Sequence, residues 1–197
     1  MYTTYKKQPS FVLGFHGCDK TWGEKILAGK AKLNSSANDY DWLGTGIYFW
    51  ESNPTRALKF AQEAAKRPEL TQGKIRKPFV LGAIIDLGIC CNLHDQSALD
   101  ELKAAYTSMK DMSEIAGTPM PQNKVGPDKL MRHLDCAVIN YMHTLREVAE
   151  LPPYDSVRAA FHEGGDLYPE SGFTKNSHVQ IALRSEKQIL GYFRVRP

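Results

Sequence analysis

The stretch 41–61, DWLGTGIYFWESNPTRALKFA, limits the fold more than any other part of the chain. Gly44 and Gly46 allow a tight turn or a close backbone approach to a ligand. Ile47, Tyr48, Phe49 and Trp50 read as a short aromatic strand. Asn53 followed by Pro54 is a helix cap with proline at the first helical position. The helix that follows carries Ala57, Leu58, Ala61, Ala64 and Ala65 and stops at Arg67-Pro68, and its small alanines imply close packing on a neighbour. Taken alone, this is a strand-turn-helix corner with one tyrosine, Tyr48, at its centre.

Residues 11–15 form an apolar strand interrupted by Gly14, and they deliver His16-Gly17-Cys18 at its end. The spacing of Thr21 and Glu24 predicts a capping box with Thr21 as N-cap. Gly29 closes that helix. A polar loop, 33–40, leads into the glycine corner, and the apolar run 79–87 reads as a central strand containing Gly82. Apolar residues at helical spacing predict helices over 97–109 and 128–150, with a proline- and glycine-containing loop between them. Residues 157–161 are a further strand. The last two strands, 179–183 and 189–195, alternate as a hairpin across the turn 184–187. Alternation places Gln180 on the face of His178 and Ala182, opposite Val179, Ile181 and Leu183.

With 197 residues, one domain carrying an insertion is expected. The net charge of +3 permits an anionic ligand such as a dinucleotide, and it falls short of the basic stripe of a dedicated nucleic-acid binder. Lys74, Arg76, Lys77, Arg184, Arg194 and Arg196 read as scattered, solvated charges, with nucleic-acid binding kept as a third reading. No apolar run reaches the roughly 18 to 20 residues of a membrane span, and the first residues lack a signal-peptide core, so a soluble cytoplasmic protein is expected. Cys18, Cys90, Cys91 and Cys136 have no disulfide spacing. Cys90-Cys91 with His94 lacks a fourth ligand, and no metal is expected.

In this order the pieces resemble an ADP-ribosyltransferase of the diphtheria-toxin and poly(ADP-ribose) polymerase clade, whose signature is a histidine, a tyrosine and a glutamate on three strands. Phe15-His16-Gly17-Cys18 resembles the first-strand histidine-glycine-serine, and Ile26-Leu27 with Gly29 follows as in the family. Gly44 and Gly46, then Ile47-Tyr48-Phe49 and Ala57, resemble the tyrosine strand and next helix. Residues 79–88 resemble the following strand, and the terminal strands place Gln180 where the family has glutamate. The resemblance covers 11–88 and 179–193, leaving 91–177 as an insertion of unassigned, partly helical structure.

The resemblance implies an α+β fold with a split β-sheet core, flanking helices and a helical insertion. It implies NAD as substrate, cleavage of the nicotinamide-ribose bond and transfer of ADP-ribose to an acceptor. His16 would contact the adenosine ribose, Gly17 would hold the carboxamide through its backbone, and Tyr48 would stack on nicotinamide. Cys18 replaces the serine that helps there, Gly46 belongs to the binding corner, and Phe60 is the candidate second stacking ring. Gln180 can hydrogen-bond a 2′-hydroxyl but cannot offset positive charge, which favours mono-transfer or slow hydrolysis over chain elongation. The alternatives are a catalytically weak or inactive NAD- or ADP-ribose-binding module, and an NAD glycohydrolase. The acceptor, whether protein, nucleic acid, small molecule or water, is not identified by the sequence.

Overall fold

The structure, a computed structural model, describes residues 11–196. It is α+β, with seven strands, mostly antiparallel, and four α-helices among the described residues. The described residues divide into two compact units, one of 11–32, 50–88 and 186–196, the other of 33–49 and 89–185. The division falls inside one strand, β2 (Ile47–Glu51). No described helix is long and apolar enough to cross a membrane.

In the first unit, β1 (Phe11–Asp19) pairs antiparallel with β3 (Pro78–Asp86) from Phe11 opposite Asp86 to Asp19 opposite Pro78. On the far side of β3 lies β7 (Ile189–Arg194), also antiparallel, with a register shift at Ile84/Ile85. The end of β2 lies beside β1, with Phe15 opposite Trp50. The helix α2 (Pro54–Lys66) is capped by the Asn53 side chain, which accepts from Arg56 N at 2.9 Å, as the Asn53-Pro54 pair predicts. Its alanines Ala57, Ala61 and Ala64 are all fully buried, which is the close approach that small side chains allow. Phe15, Trp50, Ala57 and Val80 form the core beside Phe60 and Phe193. Gly82 makes room for Phe193, because a Cβ there would strike that ring.

The first helix, α1 (Lys20–Leu27), is capped by Asp19 and not by Thr21. The Asp19 carboxylate accepts from Thr21 N at 2.9 Å, and also from Arg76 N at 3.0 Å and Lys77 N at 2.9 Å. A cap that also holds a second segment outcompetes the local box. These N–H donors, Lys77 foremost, hold the Asp19 carboxyl down at about 2. Glu24, expected to reach back to the cap, instead takes a bidentate pair from Arg194 at 2.7 and 2.5 Å.

The second unit contains β4 (Cys90–Asn92), α3 (Gln96–Ala116), α4 (His133–Val148), β5 (Ser156–Phe161) and β6 (His178–Leu183), with residues 47–49 of β2 beside β6. β4 runs parallel to β5, and β5 pairs antiparallel with β6 from Ser156 opposite Leu183 to Phe161 opposite His178. Leu43, Cys91, Ala98, Val138, Met142 and Ala182 are among the residues of its core. The segment 91–177 therefore supplies most of a packed unit.

Three sequence expectations change here. The terminal strands do not form a hairpin: β6 pairs with β5, and β7 pairs with β3. Arg184 N is tied to Asp155 O at 2.9 Å, and a short 3₁₀ turn, Glu186–Gln188, follows before β7 begins. The helix α3 runs on to Ala116 and ends at Gly117 with φ 63°, a left-handed C-cap. The helix α4 begins later than position 128, because Lys124 and Met131 bridge across a turn at Gly126 (φ 70°). Asn123, well before α4 in sequence, satisfies its first N–H groups, accepting from Leu134 N at 2.9 Å and Asp135 N at 3.3 Å. The three-residue β4 is too short to carry a periodicity signal.

Candidate active site

His16, Gly17, Cys18 and Phe60 belong to the first unit. His16 is half-buried and sits opposite Leu81 in the β1–β3 ladder. Gly17 lies under α2: a Cβ there would strike the carbonyl oxygen of Ala57 and come within 3.2 Å of the Phe60 ring. Gly17 and Phe60 are thus brought together, and Phe60 also packs on Trp50 with ring centroids 5.1 Å apart. The Cys18 side chain, by contrast, is 6% exposed and lies against Gly23 of α1. Burial first, then the neighbouring Asp19 charge, pushes its thiol up to about 11, so it stays a neutral, weak donor at physiological pH.

The close approach at Gly17 makes a direct prediction. Gly17→Ala must displace α2 or the β1 backbone, and this overpacking should cost about 1 to 3 kcal/mol. Urea unfolding measures it, and an unchanged midpoint would refute the close approach.

Gly46, Tyr48 and Gln180 belong to the second unit. Gly44 has φ 74°, and a Cβ on it would come within 2.6 Å of Asn140 Oδ1, which accepts from Thr45 N at 3.0 Å. At Gly46 a Cβ would be 2.9 Å from the carbonyl oxygen of Leu183 and 3.1 Å from the Ala182 Cβ. The first glycine is fixed by its left-handed backbone and the second by the nearness of β6. Both requirements come from the protein's own packing, and they hold the Tyr48 strand close to the strand of Gln180.

The Tyr48 hydroxyl donates to Gly44 O at 2.7 Å and accepts from Leu43 N at 2.9 Å, closing the corner onto its own strand. Burial, with the Asp41 charge second, pushes its ionisation well above the ordinary phenol value. Tyr48 is therefore a neutral, fixed ring that can offer a face but cannot move a proton.

Gln180 lies opposite Ala159 on β6, two residues from His178. His178 Nδ1 sits 2.6 Å from Asn176 O, a partner that can only accept, so Nδ1 carries the hydrogen. In the neutral ring Nε2 is then an acceptor, and it receives a hydrogen from the Gln180 amide nitrogen at 3.0 Å. This bond directs the Gln180 Oε1 away from His178 as an acceptor. His178 is itself buried and packs on Phe161 with centroids 5.8 Å apart, and Phe161 packs on Trp42 at 4.1 Å. Arg132 covers the Trp42 ring at 4.6 Å, and Trp42 Nε1 donates to Leu130 O at 3.0 Å. A packed aromatic row thus fixes the histidine that fixes the glutamine.

The sequence locates Gln180 and the face it shares with His178, but not the bond between them or the row behind it. The i, i+2 spacing on a strand is the available signal; Trp42 and Phe161, 119 residues apart, give none. A second cluster is equally silent in the sequence. Glu101 accepts from Arg146 at 2.8 Å and from the Tyr154 hydroxyl at 2.5 Å, with the guanidinium 4.0 Å over the Tyr154 ring. Among the described residues, no three His, Cys, Asp or Glu side chains gather as a metal site requires.

Comparison with known proteins yields little beyond this geometry. No family model matches the chain. An uncharacterized protein of Methanocaldococcus jannaschii is 32% identical over 151 residues, which cover 75% of this chain and 63% of that protein. The chain thus spans somewhat under two thirds of the relative's length. No solved structure matches.

Proposed function

We propose that this chain binds NAD, breaks its nicotinamide-ribose bond and transfers a single ADP-ribose to an acceptor. The observation that carries this reading is the Gln180 amide, oriented by His178 on the strand beside the one that bears Tyr48. Within the second unit Tyr48 supplies the stacking face for nicotinamide; the ribose contact of His16 and the backbone cradle of Gly17 are what the resemblance implies. In the reaction the glycosidic carbon–nitrogen bond breaks, nicotinamide leaves with the bonding pair, and the acceptor's nucleophile bonds to the ribose carbon and loses a proton. Gln180 Oε1 accepts from the ribose 2′-hydroxyl as positive charge develops on the sugar. It carries no charge of its own, which sets transfer slow and single.

A second reading, an NAD- or ADP-ribose-binding module, draws on one specific observation: the position expected to hold a carboxylate holds an amide. NAD calorimetry combined with a nicotinamide-release assay separates the two. Turnover supports the transferase, binding without release supports the module, and absence of NAD binding removes both.

The Tyr48 assignment has its own test. Tyr48→Ala should weaken NAD binding roughly tenfold, the scale of removing one stacked ring. Tyr48→Phe keeps the ring but orphans Leu43 N and Gly44 O, so it should retain most of the affinity while losing about 1 to 3 kcal/mol of stability. Equal NAD affinity in wild type and a folded Tyr48→Ala protein would remove nicotinamide from this ring.

A further inference from the structure

The small net charge conceals a strong division. In the described part of the first unit, 11–32, 50–88 and 186–196, there are 14 Lys and Arg against 7 Asp and Glu, a balance of +7. In the second unit, 33–49 and 89–185, there are 9 against 15, a balance of −6. A charge asymmetry of this size between parts of one chain points to an anionic partner on the basic part.

The basic charge has a focus. Lys20, Lys25, Lys30 and Lys77 line a groove of about 520 Å³ along α1, together with Thr21 and Glu24. All four lysines are exposed. Among the described residues none of them pairs with a carboxylate, whereas the two acids at hand are already engaged. Asp19 is held by three backbone N–H groups, and Glu24 is held by both terminal nitrogens of Arg194. Glu24 lines the same groove, but both its carboxylate oxygens are taken by Arg194, so the four ammonium groups outnumber the negative charge beside them. Trp22, 39% exposed, stands beside it with the Lys25 ammonium 5.9 Å from its ring.

We propose that this groove is a docking surface for single-stranded nucleic acid. Four ammonium groups lining one open groove can each meet a phosphate of a flexible backbone, and an exposed indole at the edge offers a stacking face to a base. The indole beside the lysines favours a strand that carries bases over an anionic bilayer, which offers no ring to stack on it. The lysines scattered singly in sequence become one surface because α1 and the segment before β3 are joined, with Lys20 N donating to Lys77 O at 2.8 Å. The proposal is independent of the NAD chemistry.

The test uses the whole chain and a fluorescently labelled random 20-nucleotide RNA, read by anisotropy from 50 to 300 mM salt. Wild type should bind with log Kd rising linearly in log salt. Replacing Lys20, Lys25, Lys30 and Lys77 together with alanine should weaken binding at least tenfold and lower the salt slope by about 0.7 for each phosphate left without its ammonium partner. Trp22→Ala should weaken binding several-fold and leave the slope unchanged, because base stacking releases no counterions. A control pair, Lys59→Ala with Lys66→Ala, lies on α2 of the same unit and should change little. These substitutions are on the surface, and circular dichroism confirms folding. Absence of RNA binding at 50 mM salt overturns the proposal. So does a quadruple variant that binds like wild type, or binding to vesicles with 30% anionic lipid in place of RNA.

Discussion

Gln180→Ala is expected to lower NAD turnover by roughly 10- to 1000-fold, the range for losing a hydrogen bond that acts in the transition state. The side chain is half-buried, and its nitrogen is already committed to His178 at 3.0 Å, so the reactive end is Oε1 alone. Gln180→Glu introduces a carboxylate near the developing sugar cation and should raise NAD hydrolysis above wild type. The substitution has a second consequence. A carboxylate beside His178 Nε2 removes the amide donor of that bond. His178→Phe keeps a ring against Phe161 but frees the amide, and it should lower wild-type turnover several-fold while leaving NAD affinity unchanged. Nicotinamide release measured for the four proteins decides the matter. Equal rates throughout would take Gln180 out of the site.

The parts of this arrangement visible in the sequence are those written in local chemistry. Asn53-Pro54 announces α2, the alanines announce its close packing, and strand alternation places Gln180 with His178. The cap of α1 escapes a local reading because Asp19 is chosen by backbone donors from Arg76 and Lys77, 57 and 58 residues away, which no local pattern records. The terminal hairpin fails for a related reason. Alternation specifies that 179–183 and 189–195 are strands but not their partners, and each finds a longer ladder elsewhere, with β5 and with β3. The glycines of the Tyr48 corner are recognisable, and their causes differ: Gly44 is needed for its φ of 74°, Gly46 for the approach of Leu183 and Ala182. Whole-chain charge is the most misleading quantity, since +3 is what remains of +7 and −6 in the described parts of the two units together with Lys6 and Lys7, and the boundary between those balances emerges only in the folded chain.

Acidification from pH 7 to pH 4 is expected to cost the second unit about 3 kcal/mol through one residue, His143. It lies on α4, is 5% exposed, and neither ring nitrogen has a hydrogen-bond partner among the described residues. Tyr154 covers it at 6.2 Å between centroids. Burial, reinforced by the Arg184 and Arg146 charges and opposed by Glu101, lowers its pKa from 6.5 to about 4. In the unfolded chain the imidazole takes up a proton near pH 6.5, whereas the folded protein resists until about pH 4. Between those values the unfolded state binds more protons, so stability rises with pH. The contribution is complete above 6.5, falls away as pH drops toward 4, and falls no further below it. A difference of about 2.5 units at 1.36 kcal/mol each gives the figure of about 3 kcal/mol. His143→Leu removes the titration and two unsatisfied buried nitrogens at similar volume, so the variant should be at least as stable as wild type at pH 7. Urea unfolding of both proteins between pH 4 and 7.5 isolates the effect, because every other titrating group is common to them. The gap in favour of the variant should widen as pH falls through 6, and parallel profiles would show that His143 is hydrated or paired in solution.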